Sequence, residues 1–133
     1  MTIAITDFSS KTALLIEDNE MNIKLFSLLL RRTKISFDIA TDGEMAVEMF
    51  KKNHYDIILT DIHIPKLRGY EVAGIIRKDE DASKAKTPII ALTASSLLSE
   101  TESYLAAGIN QVLQKPFTEQ DLRTAMQYFF DSI

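Results

Sequence analysis

Tyr55-Asp56-Ile57-Ile58-Leu59-Thr60-Asp61 is the stretch on which the fold turns. Ile57, Ile58 and Leu59 run together without alternation, the pattern of a strand buried on both faces of a parallel sheet. Asp61 closes the run. A carboxylate at the carboxyl end of such a strand sits where open α/β sheets hold their ligands. Three other apolar runs also end in polar chemistry: Thr12 to Ile16 in Glu17-Asp18, Ile89 to Leu92 in Thr93, and Val112-Leu113 in the pair Lys115-Pro116. An acidic pocket with one lysine and one hydroxyl suits a divalent metal and a phosphoryl group.

Amphipathic stretches separate these runs. Asn19 can cap a first helix, in which Met21, Leu25, Leu28 and Leu29 recur at helical spacing while Lys24, Arg31 and Arg32 are left for solvent. Ile35, Phe37 and Ile39 alternate over a short second strand. Thr41-Asp42-Gly43-Glu44 has capping-box spacing, and Ala46, Val47 and Phe50 share a face of the helix that follows. After Asp61 comes the loop His63 to Gly69, broken by Pro65 and Gly69. Tyr70, Val72, Ile75 and Ile76 mark a third helix, and Lys78 to Lys86 a solvated connection. Ser95 or Ser96 can cap a fourth helix that stops at Gly108. Thr118 and Asp121 again have capping-box spacing, before Leu122, Ala125, Met126 and Phe129. Phe26, Phe50 and Phe129 read as core.

The chain has 133 residues, 46% hydrophobic and 26% charged, which fits one soluble globular domain at 12–133 with Met1 to Lys11 as a short leader. No cysteine is present, so disulfides, thiolate catalysis and cysteine-held metals are excluded. A net charge of −4 without a basic block gives no reason to expect nucleic-acid binding. No apolar run reaches the roughly 18 residues of a membrane span, and the start lacks a signal-peptide pattern. A cytoplasmic location is the expectation.

Five βα units with right-handed crossovers and helices on both faces give an α/β fold. The economical arrangement is a doubly wound five-stranded parallel sheet of flavodoxin-like order 2-1-3-4-5. Strands one and three are then neighbours, and Glu17, Asp18 and Asp61 converge. Set against Lys115, the three carboxylates leave a formal −2. A divalent cation cancels that charge, and hard oxygen ligands suit Mg²⁺. Taken alone, Glu17-Asp18 also suits a helix N-terminus, whose dipole it complements; convergence with Asp61 favours the cation. Asp61 is then a candidate carboxylate nucleophile that forms an acyl phosphate. A cis bond before Pro116 would direct Lys115 into the pocket. His54 reads as exposed, and His63 as a loop residue at the pocket mouth.

These features in order, Glu17-Asp18, Asp61 followed by Pro65 and Gly69, Thr93-Ala94, and Lys115-Pro116-Phe117, resemble the response-regulator receiver domains of two-component signalling. The resemblance covers Lys11 to Asp131, nearly the whole chain, and Glu17 to Asn22 is similar to receivers attached to hybrid sensor kinases. It implies a switch rather than an enzyme, catalysing only its own phosphorylation and dephosphorylation. Asp61 would take a phosphoryl group from a histidine kinase or a histidine phosphotransfer protein. Glu17, Asp18 and Asp61 would hold Mg²⁺ with the backbone carbonyl of His63. Lys115 would pair with the phosphoryl oxygens. Thr93 would move toward them and switch the face of the fourth helix, fifth strand and fifth helix for a downstream protein target. His63 and Ser95 would tune the lifetime of the phosphoryl group.

Two residues depart from that pattern. Val112 stands where many receivers carry an aromatic ring that turns inward, and Arg68 where Asp or Asn is common. They leave a second reading open, a phosphorylation-independent interaction module. A third, an aspartate-nucleophile phosphatase, lacks a second acid two places after Asp61, where His63 stands. The face formed by Ser96 to Ala107 and Gln111 to Gln114 is open to a partner, which leaves a monomer or a weak homodimer.

Overall fold

The computed structural model describes residues 7–94 and 97–131. The elements are β1 (Thr12–Ile16), α1 (Glu20–Thr33), β2 (Ser36–Ala40), α2 (Gly43–Lys52), β3 (Ile57–Asp61), α3 (Gly69–Arg77), a 3-10 turn at Lys84–Lys86, β4 (Ile89–Thr93), α4 (Leu98–Ala106), β5 (Gln111–Gln114) and α5 (Glu119–Asp131). All strand pairs are parallel and the order is β2-β1-β3-β4-β5, as the sequence pattern predicts. The central strands bury both faces. Leu14, Ile16 and Ile58 pack under α2, α3 and α4, while Ala13, Leu15, Ile57 and Leu59 pack under α1 and α5. Each of the leucines and isoleucines contributes about 1.5–3 kcal/mol when fully buried.

Registers decide where the strand ends meet. Ile16 of β1 lies opposite Thr60 of β3, so the next residues, Glu17 and Asp61, leave the sheet side by side. Thr93 ends β4 opposite Gln114, and the Lys115 amide donates to the Thr93 carbonyl at 2.7 Å.

Most end signals act locally as expected. The Asn19 side chain accepts from the Asn22 amide at 3.0 Å and starts α1. Thr118 and Asp121 exchange side-chain-to-backbone bonds at 2.9 and 3.1 Å and start α5. Gly108, at φ 110°, ends α4. Two caps are displaced. Asp42 rather than Thr41 caps α2, accepting from Met45 at 2.7 Å. The cap position of α4 falls on Leu97; Ser95 and Ser96 lie outside the described residues.

The expected inner face of α1 is overturned for three of its four residues; Leu29 is half-buried and packs against the core. Met21, Leu25 and Leu28 are 80%, 51% and 51% exposed, and the core takes Phe26, Ser27, Leu30 and Thr33 instead. This helix carries two apolar stripes, and spacing alone does not rank them. The sheet selects the stripe with Phe26 and Leu30, which leaves the other beside Lys24 and Arg32. Similarly, α3 buries Val72, Ala73 and Ile76 but exposes Tyr70 and Ile75. At the chain start, Met1 to Thr6 lie outside the described residues, but Phe8 is drawn into the core, edge-on to Phe130 with centroids 5.1 Å apart.

Gly69 brings the start of α3 against the end of β3. Its amide donates to the Ile62 carbonyl at 2.9 Å, and a Cβ there would lie 2.5 Å from the Asp61 carbonyl oxygen. That neighbour is backbone and has little freedom to move. Gly74, in the middle of α3, faces open space. Gly69→Ala is therefore expected to destabilise by about 2 kcal/mol or more. Gly74→Ala should stabilise by about 0.5–1 kcal/mol. Urea unfolding of both variants checks the contrast.

Candidate functional site

One oxygen from each of Glu17, Asp18 and Asp61 falls within a mutual 4.8 Å. They come from the ends of two adjacent strands, which is why residues far apart in sequence meet. Glu17 is buried, Asp61 is partly buried and Asp18 is exposed, so the cluster opens on one side.

Each carboxylate is oriented by local backbone. Glu17 Oε2 accepts from the amides of Asp18 and Asn19 at 3.1 and 3.3 Å. Its Oε1 is buried and has no hydrogen-bond partner. Asp61 Oδ1 accepts from the Ile62 amide at 2.7 Å. The Lys115 ammonium stands 3.6 Å from both Glu17 Oε1 and Asp61 Oδ2. Burial first, and then the charge of Asp61, push the Glu17 carboxyl above its usual range, against the pull of two amides and Lys115. The Lys115-Pro116 bond is cis.

The set fits a hard divalent cation. Three carboxylates gather oxygens together, Glu17 also has a buried oxygen with no hydrogen bond, and a single lysine under-compensates their charge. Thr93, 3% exposed, stands at the neighbouring strand end. The His63 imidazole is not part of the cluster: it is exposed, and Arg68 Nη1 approaches its Nδ1 at 3.2 Å. Arg68 thus lies against His63 at the rim. Ser95 lies outside the described residues.

Three sets of contacts escaped the sequence reading, although Phe26 was read there as core and Phe117 as part of the motif after Lys115. Phe26 and Phe117 stack at 5.3 Å, and the Lys115 ammonium lies 5.5 Å from the Phe26 centroid. Tyr104 of α4 is 7% exposed, shares a core cluster with Ile62 and Val112, and stacks on Tyr70 at 6.3 Å. Burial raises the affinity of its hydroxyl for the proton. So α4 supplies an aromatic ring to the core that Val112 does not. Finally, the Arg77 guanidinium binds the carbonyls of Ala85, Thr87 and Gly108 and the Asn110 side chain, tying the far end of α3 to the starts of β4 and β5.

Comparison with known proteins agrees with this geometry. The family profile described as response regulator receiver domain matches residues 13–127. The chain is 38% identical over 122 residues to hybrid signal transduction histidine kinase B of Dictyostelium discoideum, an alignment covering 85% of this chain and 6% of that protein. The receiver domain of the sensor histidine kinase PA1611 from Pseudomonas aeruginosa PAO1, solved with a magnesium ion coordinated in its active-site cleft, superposes with a TM-score of 0.84 at 36% identity. That alignment covers 92% of this chain and 98% of that one. A chain from the co-crystal of the Saccharomyces cerevisiae histidine phosphotransfer protein Ypd1 with the receiver domain of Ssk1 matches with a TM-score of 0.82 at 31% identity, covering 90% and 88%. The chain therefore spans a small part of the kinase it matches. Among the described residues, no helix is long and apolar enough to cross a membrane.

The crowded carboxylates make a stability prediction. Asp61→Asn removes one repelling charge, keeps an acceptor for the Ile62 amide, and leaves Lys115 with Glu17. In the absence of metal it should stabilise the fold by about 1 kcal/mol, a few degrees in Tm. Added Mg²⁺ should raise the Tm of the wild type more than that of the variant. Thermal melts with and without Mg²⁺ measure both.

Proposed function

The chain belongs to the response regulator receiver domain family, and from that membership we propose that Asp61 accepts a phosphoryl group from a phosphohistidine donor. The observation that carries the reading is the meeting of Asp61 with Glu17, Asp18 and Lys115 at the ends of β1, β3 and β5. Glu17, Asp18 and Asp61, with the backbone carbonyl of His63, would hold Mg²⁺, which when bound neutralises charge on the transferring group. A carboxylate oxygen of Asp61 attacks phosphorus in line. The P–N bond to the donor imidazole breaks, its electron pair stays on that nitrogen, and the protonated ring departs neutral. The products are an acyl phosphate on Asp61 and a free histidine. Lys115 pairs with the phosphoryl oxygens, and its placement ahead of reaction avoids a reorganisation cost. Hydrolysis of the acyl phosphate returns the domain to its starting state, so the domain acts as a timer and not as a metabolic enzyme.

The donor is a histidine kinase or a histidine phosphotransfer protein. Exposed Leu25 lines the groove beside Lys115 and, with exposed Met21 and Leu28 on the same helix, supports docking of a donor helix there. That groove, of about 360 Å³, is lined by Leu25, Phe26, Lys115, Pro116 and Phe117 among others. Output uses a separate face. The Thr93 hydroxyl turns toward the phosphoryl group and draws the connection to α4 with it, which re-presents α4, β5 and α5 to a downstream protein. Exposed Leu97, Leu98 and Tyr128 offer apolar contacts on α4 and α5 for that partner. Tyr104 stands where the movement of α4 would be felt in the core.

Incubation with acetyl phosphate and Mg²⁺ tests the chemistry. Intact mass should show one added phosphoryl group, stable to acid and labile to base, on wild type only. Asp61→Asn or chelator should remove it. A normal adduct on the variant would place the acceptor elsewhere, and no adduct with metal binding retained would favour a phosphorylation-independent binding module. Docking is tested separately. Leu25→Glu should lower the rate of transfer from a cognate phosphotransfer protein by about tenfold or more while leaving acetyl phosphate as effective as before.

A further inference from the structure

Lys115 faces two carboxylates without a short bond to either. Both contacts are 3.6 Å, longer than the roughly 2.7–2.9 Å of a charge-assisted hydrogen bond. A flexible four-carbon stem needs more than that to aim its ammonium. The aromatic group behind it supplies the rest. The ammonium lies 5.5 Å from the centroid of the Phe26 ring, inside the roughly 6 Å reach of a cation–π contact. That ring is fixed: Phe26 is 4% exposed and stacks on Phe117 at an interplanar angle of 21°. Phe117 follows Lys115 by two residues, so the stack ties α1 to the very segment that carries the lysine. The Lys115 side chain is only 20% exposed, which limits screening of the attraction by water.

We propose that Phe26, backed by Phe117, is a positioning residue that rests the Lys115 ammonium at the rim of the carboxylates, poised for incoming phosphoryl oxygens. This rests on the reading of Asp61 as phosphoacceptor. It assigns the ring a task that ion pairing leaves undone. When Asp61 is converted to an acyl phosphate, the lysine loses one carboxylate partner and keeps Glu17 as a competitor for its charge. The ring's attraction does not change with that step. It holds the ammonium between Glu17 and the phosphoryl group instead of letting it collapse onto Glu17.

Two measurements test this. In the wild-type protein, NMR should find the ε-methylene protons of Lys115 displaced upfield by the ring current of Phe26, relative to exposed lysines; shifts equal to those of exposed lysines would overturn the proposal. In Phe26→Leu, which keeps an apolar side chain in the core, that displacement should vanish. The rate of Asp61 phosphorylation by acetyl phosphate should fall about three- to tenfold, and Phe26→Tyr should recover most of it. An unchanged rate in a folded Phe26→Leu variant, or a slowed rate with the Lys115 shifts unmoved, would reduce Phe26 to packing. If the leucine variant does not fold, the wild-type shifts decide alone. Failure of wild type to be modified at Asp61 would instead overturn the phosphoacceptor reading, and the shifts would still report whether the ring holds the lysine.

Discussion

Mutual repulsion of carboxylates at the ends of β1 and β3 is the constraint around which the rest of the structure is arranged. Glu17 is buried beside Asp61, with Asp18 alongside, and one lysine answers three acids. Such an arrangement does not favour folding. It persists because the strands that deliver these residues are anchored by Leu14, Leu15, Ile16, Ile57, Ile58 and Leu59, all nearly inaccessible to water. The hydrophobic sheet forces the acids together, and the unbalanced negative charge that results suits a divalent cation.

Close backbone approaches complete the enclosure. Gly69 lets α3 start against the Asp61 carbonyl, and Gly43 lets the loop after β3 lie against α2, where a Cβ would collide with Leu67. The Gly43 amide donates to the Pro65 carbonyl at 3.1 Å, and Lys66, at φ 70°, reaches toward Asp42 and Glu44. The loop that follows Asp61 is thus tethered on both sides. On the other flank the Lys115 segment is tethered through the Phe26–Phe117 stack. Rigid elements hold the side chains of the site, while apolar residues on α1 and α4 stay exposed.

Much of this was written locally. Runs without alternation announced the buried strands, and Asn19, Gly108 and the Thr118–Asp121 pair stopped and started helices where they stand, because caps act through bonds spanning only a few residues. The site acids and Lys115 were legible because they close apolar runs, and the strand order follows from right-handed crossovers. What failed was ranking of faces. Met21, Leu25 and Leu28 have helical spacing as good as that of Phe26 and Leu30, yet lie outside. Thr41 and Glu44 have capping-box spacing, yet Asp42, one residue on, is the cap. In both cases two candidates of similar local quality were separated by contacts that the segment itself does not contain.

The sequence by itself determined the alternation of strands and helices, the positions at which strands end, and the chemical types gathered there, since each depends on periodicity or on neighbours a few residues away. Tertiary structure alone decided that α1 leaves Met21, Leu25 and Leu28 outside, that the Phe26 ring stacks on Phe117 and underlies Lys115, and that Tyr104 fills the core beside Val112. Those outcomes depend on shape and charge contributed by segments distant in the chain, where the free-energy difference between competing faces is set only once the sheet has formed.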